Sequence, residues 1–177
     1  MAENVRIVVG VSGSLSSLAA LHHAVAEARR LDAVLVPVLA WHPVGGEFAY
    51  RSSPCPPLLR EWQQAARKRL DTAFEQSFGG YPAGLRIQPM VVRDDQPGRA
   101  LVQVADRPGD QLVVSTGRRG RLVRLFHGSV SRYCLAHARC AVTAVPPSEL
   151  LEALELAARD GEPMTLPTRW GRAAHSA

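Results

Sequence analysis

The sequence predicts an α/β fold, a three-layer structure with a five-stranded parallel sheet and helices on both faces. Three observations predict it. Short β-branched runs alternate with amphipathic stretches in the order β-α-β-α-β-α-β-α-β, and alternation of this kind winds a chain into a parallel sheet covered on both sides. The first and fourth strand runs both end in glycine-bearing loops that open helices. The chain has 177 residues, 46% of them hydrophobic. That suits one domain with a short appendage, able to bury about 70% of its unfolded surface without a disulfide or metal staple.

Each element has its own signal. Val5–Val11 is a buried strand run that ends at Ser12-Gly13-Ser14. Ser14 is a good N-cap, and Leu15, Leu18, Ala19, His22, Val25 and Ala26 recur at helical spacing as far as Leu31. Val34–Ala40 is the second strand, with Pro37 predicting a bulge or a reduced ladder. Trp41–Pro57 reads as a long irregular connection, of the sort that covers a site. Pro56-Pro57 suits the first turn of a helix carrying Leu58, Trp62, Ala65, Ala66, Arg69, Leu70, Ala73 and Phe74 to about Phe78, where Gly79-Gly80 breaks it. Leu85–Val92 is the third strand, and Pro97 opens a helix with Ala100, Leu101, Val104 and Ala105. Asp110–Ser115 is the fourth strand, Val130–His137 a helix and Ala141–Val145 the fifth strand. Beyond Pro146-Pro147, Glu149–Arg159 has helical periodicity and Gly161–Ala177 has the composition of a flexible tail. The domain boundary is therefore expected at 147, with residues 148–177 as an extension.

The fourth strand runs into Gly117-Arg118-Arg119-Gly120, seven further residues, and Gly128-Ser129-Val130-Ser131. Glycines let backbone N–H groups approach an anion, and the following helix N-terminus adds free donors and partial positive charge. Arg118, Arg119, Arg121 and Arg124 add electrostatic attraction. If the strand order is 3-2-1-4-5, the order reverses between strands one and four, which is where open α/β sheets hold ligands. The Ser12-Gly13-Ser14 turn and the Gly117–Gly120 stretch would then meet at that point.

Composition removes several function classes. Three cysteines, Cys55, Cys134 and Cys140, form no disulfide framework, and Cys134 and Cys140, six residues apart, form no zinc pattern. They read as small apolar residues in a reducing cytoplasm. Met1–Asn4 lacks the basic region of a signal peptide, and no apolar run approaches the ~20 residues of a membrane span. The formal charge of +5 favours anionic partners. Nucleic acid is not expected, because there is no aromatic platform or docking motif. No serine has a His/Asp team, and there is no Gly-x-Ser-x-Gly elbow, so hydrolytic catalysis has no support. Asp94-Asp95 reads as stabilising a helix N-terminus rather than holding a metal, and Trp41 as a core residue or the border of a base pocket.

Val8-Val9-Gly10-Val11-Ser12-Gly13-Ser14, the glycine stretch and Cys140-Ala141-Val142-Thr143-Ala144-Val145-Pro146 together resemble the universal stress protein (UspA-like) family over about Val5–Pro147. The resemblance implies a Rossmann-like, adenine nucleotide alpha hydrolase-like fold. It also implies ATP, with or without Mg2+, as ligand. The family's Gly-x-x-Gly, spacer, Gly-Ser pattern falls on Gly117, Gly120, Gly128 and Ser129. By that correspondence Gly117, Arg119, Gly120, Gly128, Ser129 and Val130 would hold the triphosphate, and Ser12 and Ala40, at the ends of strands one and two, would lie by the ribose and adenine. Gly10, Gly13, Thr116 and Ser131 would complete the nucleotide-binding set. A cytoplasmic homodimer joined through the fifth strand, with a stress-response regulatory role rather than a catalytic one, is implied as well.

The chain departs from the family twice: Ser12 stands where an acidic residue is common, and the spacer Arg121–His127 is two residues shorter than usual. A charged hydrogen bond lost at Ser12 is worth about 1.5–3 kcal/mol. These departures keep open an alternative, a stress protein that binds no nucleotide and acts as a dimeric interaction scaffold.

Overall fold

The computed structural model describes residues 5–116 and 130–146. Among the described residues ten elements follow one another: β1 (Arg6–Gly10), α1 (Leu15–Arg30), β2 (Val34–Trp41), α2 (Gly46–Ser52), α3 (Pro56–Phe78), β3 (Met90–Arg93), α4 (Pro97–Val104), β4 (Gln111–Ser115), α5 (Val130–His137) and β5 (Ala141–Val145). The strands form one sheet in the order β3-β2-β1-β4-β5, and every pair is parallel. The expected order and layering are thus present. The expected helix at 149–159, the tail at 161–177 and the boundary at 147 lie outside the described residues.

Alternation along the strands divides the apolar side chains between two cores. Ile7 and Val9 of β1, Leu35, Leu39 and Trp41 of β2, and Val113 of β4 pack with α1 and α3. Val8, Val34, Val36, Val38, Leu112 and Val114 pack with Leu101 and Ala105, in and just after α4, and with Cys134 of α5. Ile7, Val8 and Val9 are fully buried, as a central parallel strand requires. Burial pushes the Cys134 thiol up to about 11, in keeping with a packing role.

Four local expectations need correction or refinement. Trp41–Pro57 is not wholly irregular, since it contains α2. That helix buries no residue, so it carries no apolar periodicity to betray it. The buried face of α1 consists of Ser17, Ala20, Leu21, Ala24, Val25 and Ala28, whereas His22 and Ala26 are exposed. Alanines occupy more than one side of this helix, so spacing alone does not select the face. On α3, Leu58 is 42% exposed and the buried residues are Ala66, Leu70, Ala73 and Phe74. The third strand begins late, at Met90, with a single bridge between Ile87 and Leu35 ahead of it.

Pro37 explains the late start. Val34 N–H donates toward β1, to the Val5 carbonyl at 3.0 Å, and Leu35 N–H donates to the opposite side, to the Arg86 carbonyl at 2.9 Å. Pro37, two residues on from Leu35, falls on the same side and has no N–H to give. The ladder pauses there and resumes at Val38 and Met90 in unchanged register. The strand itself stays straight through Pro37, which pairs with Val9.

A half-buried ion pair closes the amino end of the sheet. Arg6 donates to Asp110 at 2.9 and 2.6 Å and to the Val104 carbonyl at 3.1 Å. Asp110 also accepts the Arg107 N–H at 3.1 Å. With its side chain 1% exposed, Asp110 depends on these partners, because an unpaired buried carboxylate is strongly destabilising.

On the second face α4 and α5 meet at Gly98. A Cβ there would lie 2.9 Å from Tyr133 Cβ and 3.0 Å from its ring. Gly98→Ala should therefore lose about 1–3 kcal/mol to overpacking, against at most ~1 kcal/mol regained in helix propensity. Gly10→Ala meets only the end of the Leu101 side chain, at 2.9 Å, which can rotate away. Urea midpoints should fall further for Gly98→Ala than for Gly10→Ala; the reverse order would show that the helices do not fix this contact.

Candidate functional site

The carboxyl ends of β1 and β4 lie side by side, because Ile7, Val8 and Val9 pair with Gln111, Leu112 and Val113. β2 and β3 extend from β1 on one flank and β5 from β4 on the other. Strand order therefore reverses between β1 and β4, and the crevice past their tips is the position where open α/β sheets take ligands.

At the β1 tip, Val11 N–H still reaches the Val38 carbonyl at 2.9 Å. The chain then turns through Gly13, whose φ of +79° favours glycine, with open space around the position a Cβ would take. Four serines organise the turn. Ser14 is the N-cap of α1 and accepts the Ser17 N–H at 3.3 Å. The Ser17 hydroxyl donates to the Ser14 carbonyl at 2.8 Å and accepts the Ser12 N–H at 3.2 Å. The hydroxyls of Ser12 and Ser14 are 3.0 Å apart, and those of Ser14 and Ser16 are 3.1 Å apart. Ser12, Gly13 and Ser14 are exposed and Ser17 is buried. The result is a fixed turn that presents hydroxyls outward and is internally fastened from below.

The other residues named from the sequence fall in distinct places. Gly10 lies against Leu101 of α4, so packing accounts for its missing side chain. Ala40, paired with Val92, is half-buried near the end of β2. Thr116 is tied away from β1: its N–H and its hydroxyl both donate to the Val145 carbonyl, at 2.9 and 3.3 Å. Val130 opens α5 and packs partly against the α4 side of the core, and Ser131 is half-buried beside it. Gly117, Arg119, Gly120, Gly128 and Ser129 lie outside the described residues, as do Arg118, Arg121 and Arg124. The structure thus brings Ser12 and Gly13 to the tip beside β4, with Ala40 on the adjoining strand.

Trp41 is 5% exposed within the α1–α3 core, the core role allowed for it. Asp94 follows β3 and completes the β3 flank. Its N–H donates to the Trp41 carbonyl at 2.9 Å, and its carboxylate accepts the Gln96 N–H at 2.7 Å and Arg99 at 2.8 Å through each oxygen. Asp95 accepts Arg99 at 3.1 Å. Both aspartates therefore serve the start of α4. Among the described residues no three His, Cys, Asp or Glu side chains are grouped to hold a metal ion. Sequence analysis did not single out Ser17; its signal was a polar residue three positions after the N-cap, where a side chain can reach back to the cap.

This is a doubly wound α/β protein whose strand order reverses between β1 and β4. Residues 4–146 match the universal stress protein family, and the chain belongs to that family. A universal stress protein solved in complex with cAMP is 30% identical, with a TM-score of 0.52, over 82% of this chain and 98% of its own. The universal stress protein UspA from Lactobacillus plantarum shares 20% identity at a TM-score of 0.57, over 82% and 99%. Hypothetical protein MJ0577 shares 15% at 0.62, over 81% and 96%. The last two likenesses concern the fold. No curated protein matches the sequence. Among the described residues no helix is long and apolar enough to cross a membrane.

Asp94 gives the site's flank an acid-sensitive joint. Burial alone would raise its pKa, but the Arg99 fork and the Gln96 N–H outweigh burial and hold it below the usual carboxylate value. A depressed carboxylate stabilises the fold above its unfolded pKa, about 3.9, and that stability is lost as pH falls through the folded value. Asp94→Asn should be less stable than the parent at pH 7, with the gap closing toward pH 3. Thermal unfolding across that range checks this, and a constant gap would rule out the charged form as the stabilising one.

Proposed function

We propose that the chain is a regulatory stress-response protein that binds ATP or another adenine nucleotide in the crevice beyond β1 and β4. The observation that carries this is the adjacency of the two tips at the strand-order reversal. Gly13 there leaves backbone uncovered beside outward hydroxyls. Ser12 and Gly13 would face the ribose and Ala40 the adenine. Gly117, Arg119, Gly120, Gly128, Ser129, Val130 and Ser131 would take the phosphates, with Mg2+ as an optional companion. Gly10 contributes by letting α4 close on β1, and Thr116 by fixing the β4 tip to β5. The cAMP held by the 30% identical relative supports an adenine nucleotide as the ligand class.

Residues 1–147 would form the binding domain, with 148–177 appended. The protein would act in the cytoplasm without a dedicated catalytic reaction. Among the described residues β5 lies at the sheet edge with Ala141 and Ala144 exposed, and a sheet edge is a template for a second copy. A homodimer through β5 is the assembly to test by light scattering.

Denaturing freshly purified protein and analysing the supernatant by mass spectrometry should release an adenine nucleotide, and calorimetry should show saturable ATP binding. Replacing Gly120 or Gly128 with a bulky residue should abolish that binding with an unchanged circular dichroism spectrum. Ser12→Asp should tighten it by about ten- to a hundredfold, the equivalent of one charged hydrogen bond. Unchanged binding in both glycine variants would remove the assigned site.

A second function has a specific observation in its favour. The Ser12 hydroxyl is neutral and already bonded to Ser14, which suits a dimeric scaffold that needs no nucleotide. A protein with no bound nucleotide and no thermal shift in millimolar MgATP would favour that alternative.

A further inference from the structure

α2 stands apart from the rest of the fold in how it is held. It is seven residues long and buries none of them, and a helix of that length has no stability of its own. Its N-cap Gly45 and its first residue Gly46 have consecutive φ values of +83° and +86°, so the chain enters α2 through a two-glycine bend. Val44 is 73% exposed and Phe48 85%, so the apolar residues of this segment do not anchor it.

What ties α2 down is Arg93, the last residue of the edge strand β3. Its guanidinium donates to both Glu47 oxygens, at 3.1 and 2.9 Å, and lies 4.7 Å from the Tyr50 ring centroid. Tyr50 in turn meets Trp62 of α3 edge-on, with centroids 6.4 Å apart. Arg93 and Glu47 are about one-third exposed, at 32% and 34%. Ion pairs at that exposure are weak and screened by salt, and the cation–π contact adds only modestly. Arg93 also belongs to the carboxyl end of the β2–β3 pair, since it pairs with Trp41, next to Ala40.

We propose that α2 is a hinged flap at the β2–β3 flank of the crevice, swinging on Gly45-Gly46 and held closed by the Arg93 clamp on Glu47 and Tyr50. Opening breaks the Arg93–Glu47 ion pair and the two contacts of the Tyr50 ring, with Arg93 and with Trp62, and uncovers no buried side chain of α2. Closed and open states therefore differ little in free energy, and ionic strength shifts their balance. The flap is a property of the empty chain and does not depend on which ligand the crevice takes.

Hydrogen exchange on the full chain without nucleotide decides the matter. In Arg93→Gln, the helix-bonded amides of residues 50–53 should exchange about tenfold faster than in the parent, with β1, β2, β4 and the second half of α3 unchanged. In the parent, the same amides should speed up between about 0.05 and 1 M NaCl, and in Arg93→Gln, which keeps only the Arg51–Glu47 pair at 3.3 Å, they should speed up less. Equal α2 exchange in the two proteins overturns the proposal. So does faster exchange spreading through β2, since Arg93 would then be supporting the sheet. Should Arg93→Gln fail to fold, the salt series on the parent stands alone, and salt-independent α2 exchange overturns the flap.

Discussion

The pairing of β1 with β4 is the constraint on which the rest of the molecule depends. β1 is central, and Ile7, Val8 and Val9 are sealed by helices on both faces. Once β2 and β3 have been laid on one side of it, β4 must take the other side. That choice sends α1 and α3 to one face and α4 and α5 to the other, divides the apolar residues by alternation, and leaves the β1 and β4 tips side by side where the strand order reverses. The Arg6–Asp110 pair reinforces the same junction from below, joining the start of β1 to the residue before β4. Its dense partnering matters more for register than for net stability, since a buried ion pair gains little over apolar packing but is costly to break.

Much of this was legible in the sequence, and for identifiable reasons. Val8, Leu35 and Val113 sit in β-branched or aliphatic runs too short for helices, and prolines and glycines punctuate them. Alternation then fixes a parallel sheet almost without choice. The β1 tip was legible because Gly13 and Ser14 have separate local duties, a positive φ and a helix cap. What escaped was structure that rests on partners far along the chain. α2 depends on Arg93, more than forty residues beyond Glu47. The late start of β3 is set by Pro37 on the neighbouring strand. The buried face of α1 is chosen by β1 and β4, because its own alanines leave several faces open.

The serine turn shows how one short segment serves both fold and site. Ser14 and Ser17 are occupied in starting α1, and Ser17 also fastens Ser12 through its backbone N–H. These bonds hold the turn without drawing on any group outside it. The outward hydroxyls of Ser12, Ser14 and Ser16 satisfy one another in a chain. Each can exchange a neighbouring hydroxyl for an external one at small cost, because hydrogen bonds to solvent-exposed partners are worth little net.

A neutral turn also changes what the crevice asks of a ligand. A carboxylate at position 12 would bind sugar hydroxyls strongly and repel phosphates; serine gives up the first and avoids the second. With +5 net charge on the chain, attraction for an anion then falls to long-range field and to backbone donors rather than to a matched charge pair. Such attraction is broad in selectivity, sensitive to salt and tolerant of differences in the sugar. For the adenine-nucleotide site proposed above, that combination would favour occupancy that follows the cellular level of several nucleotides over tuning to a single species.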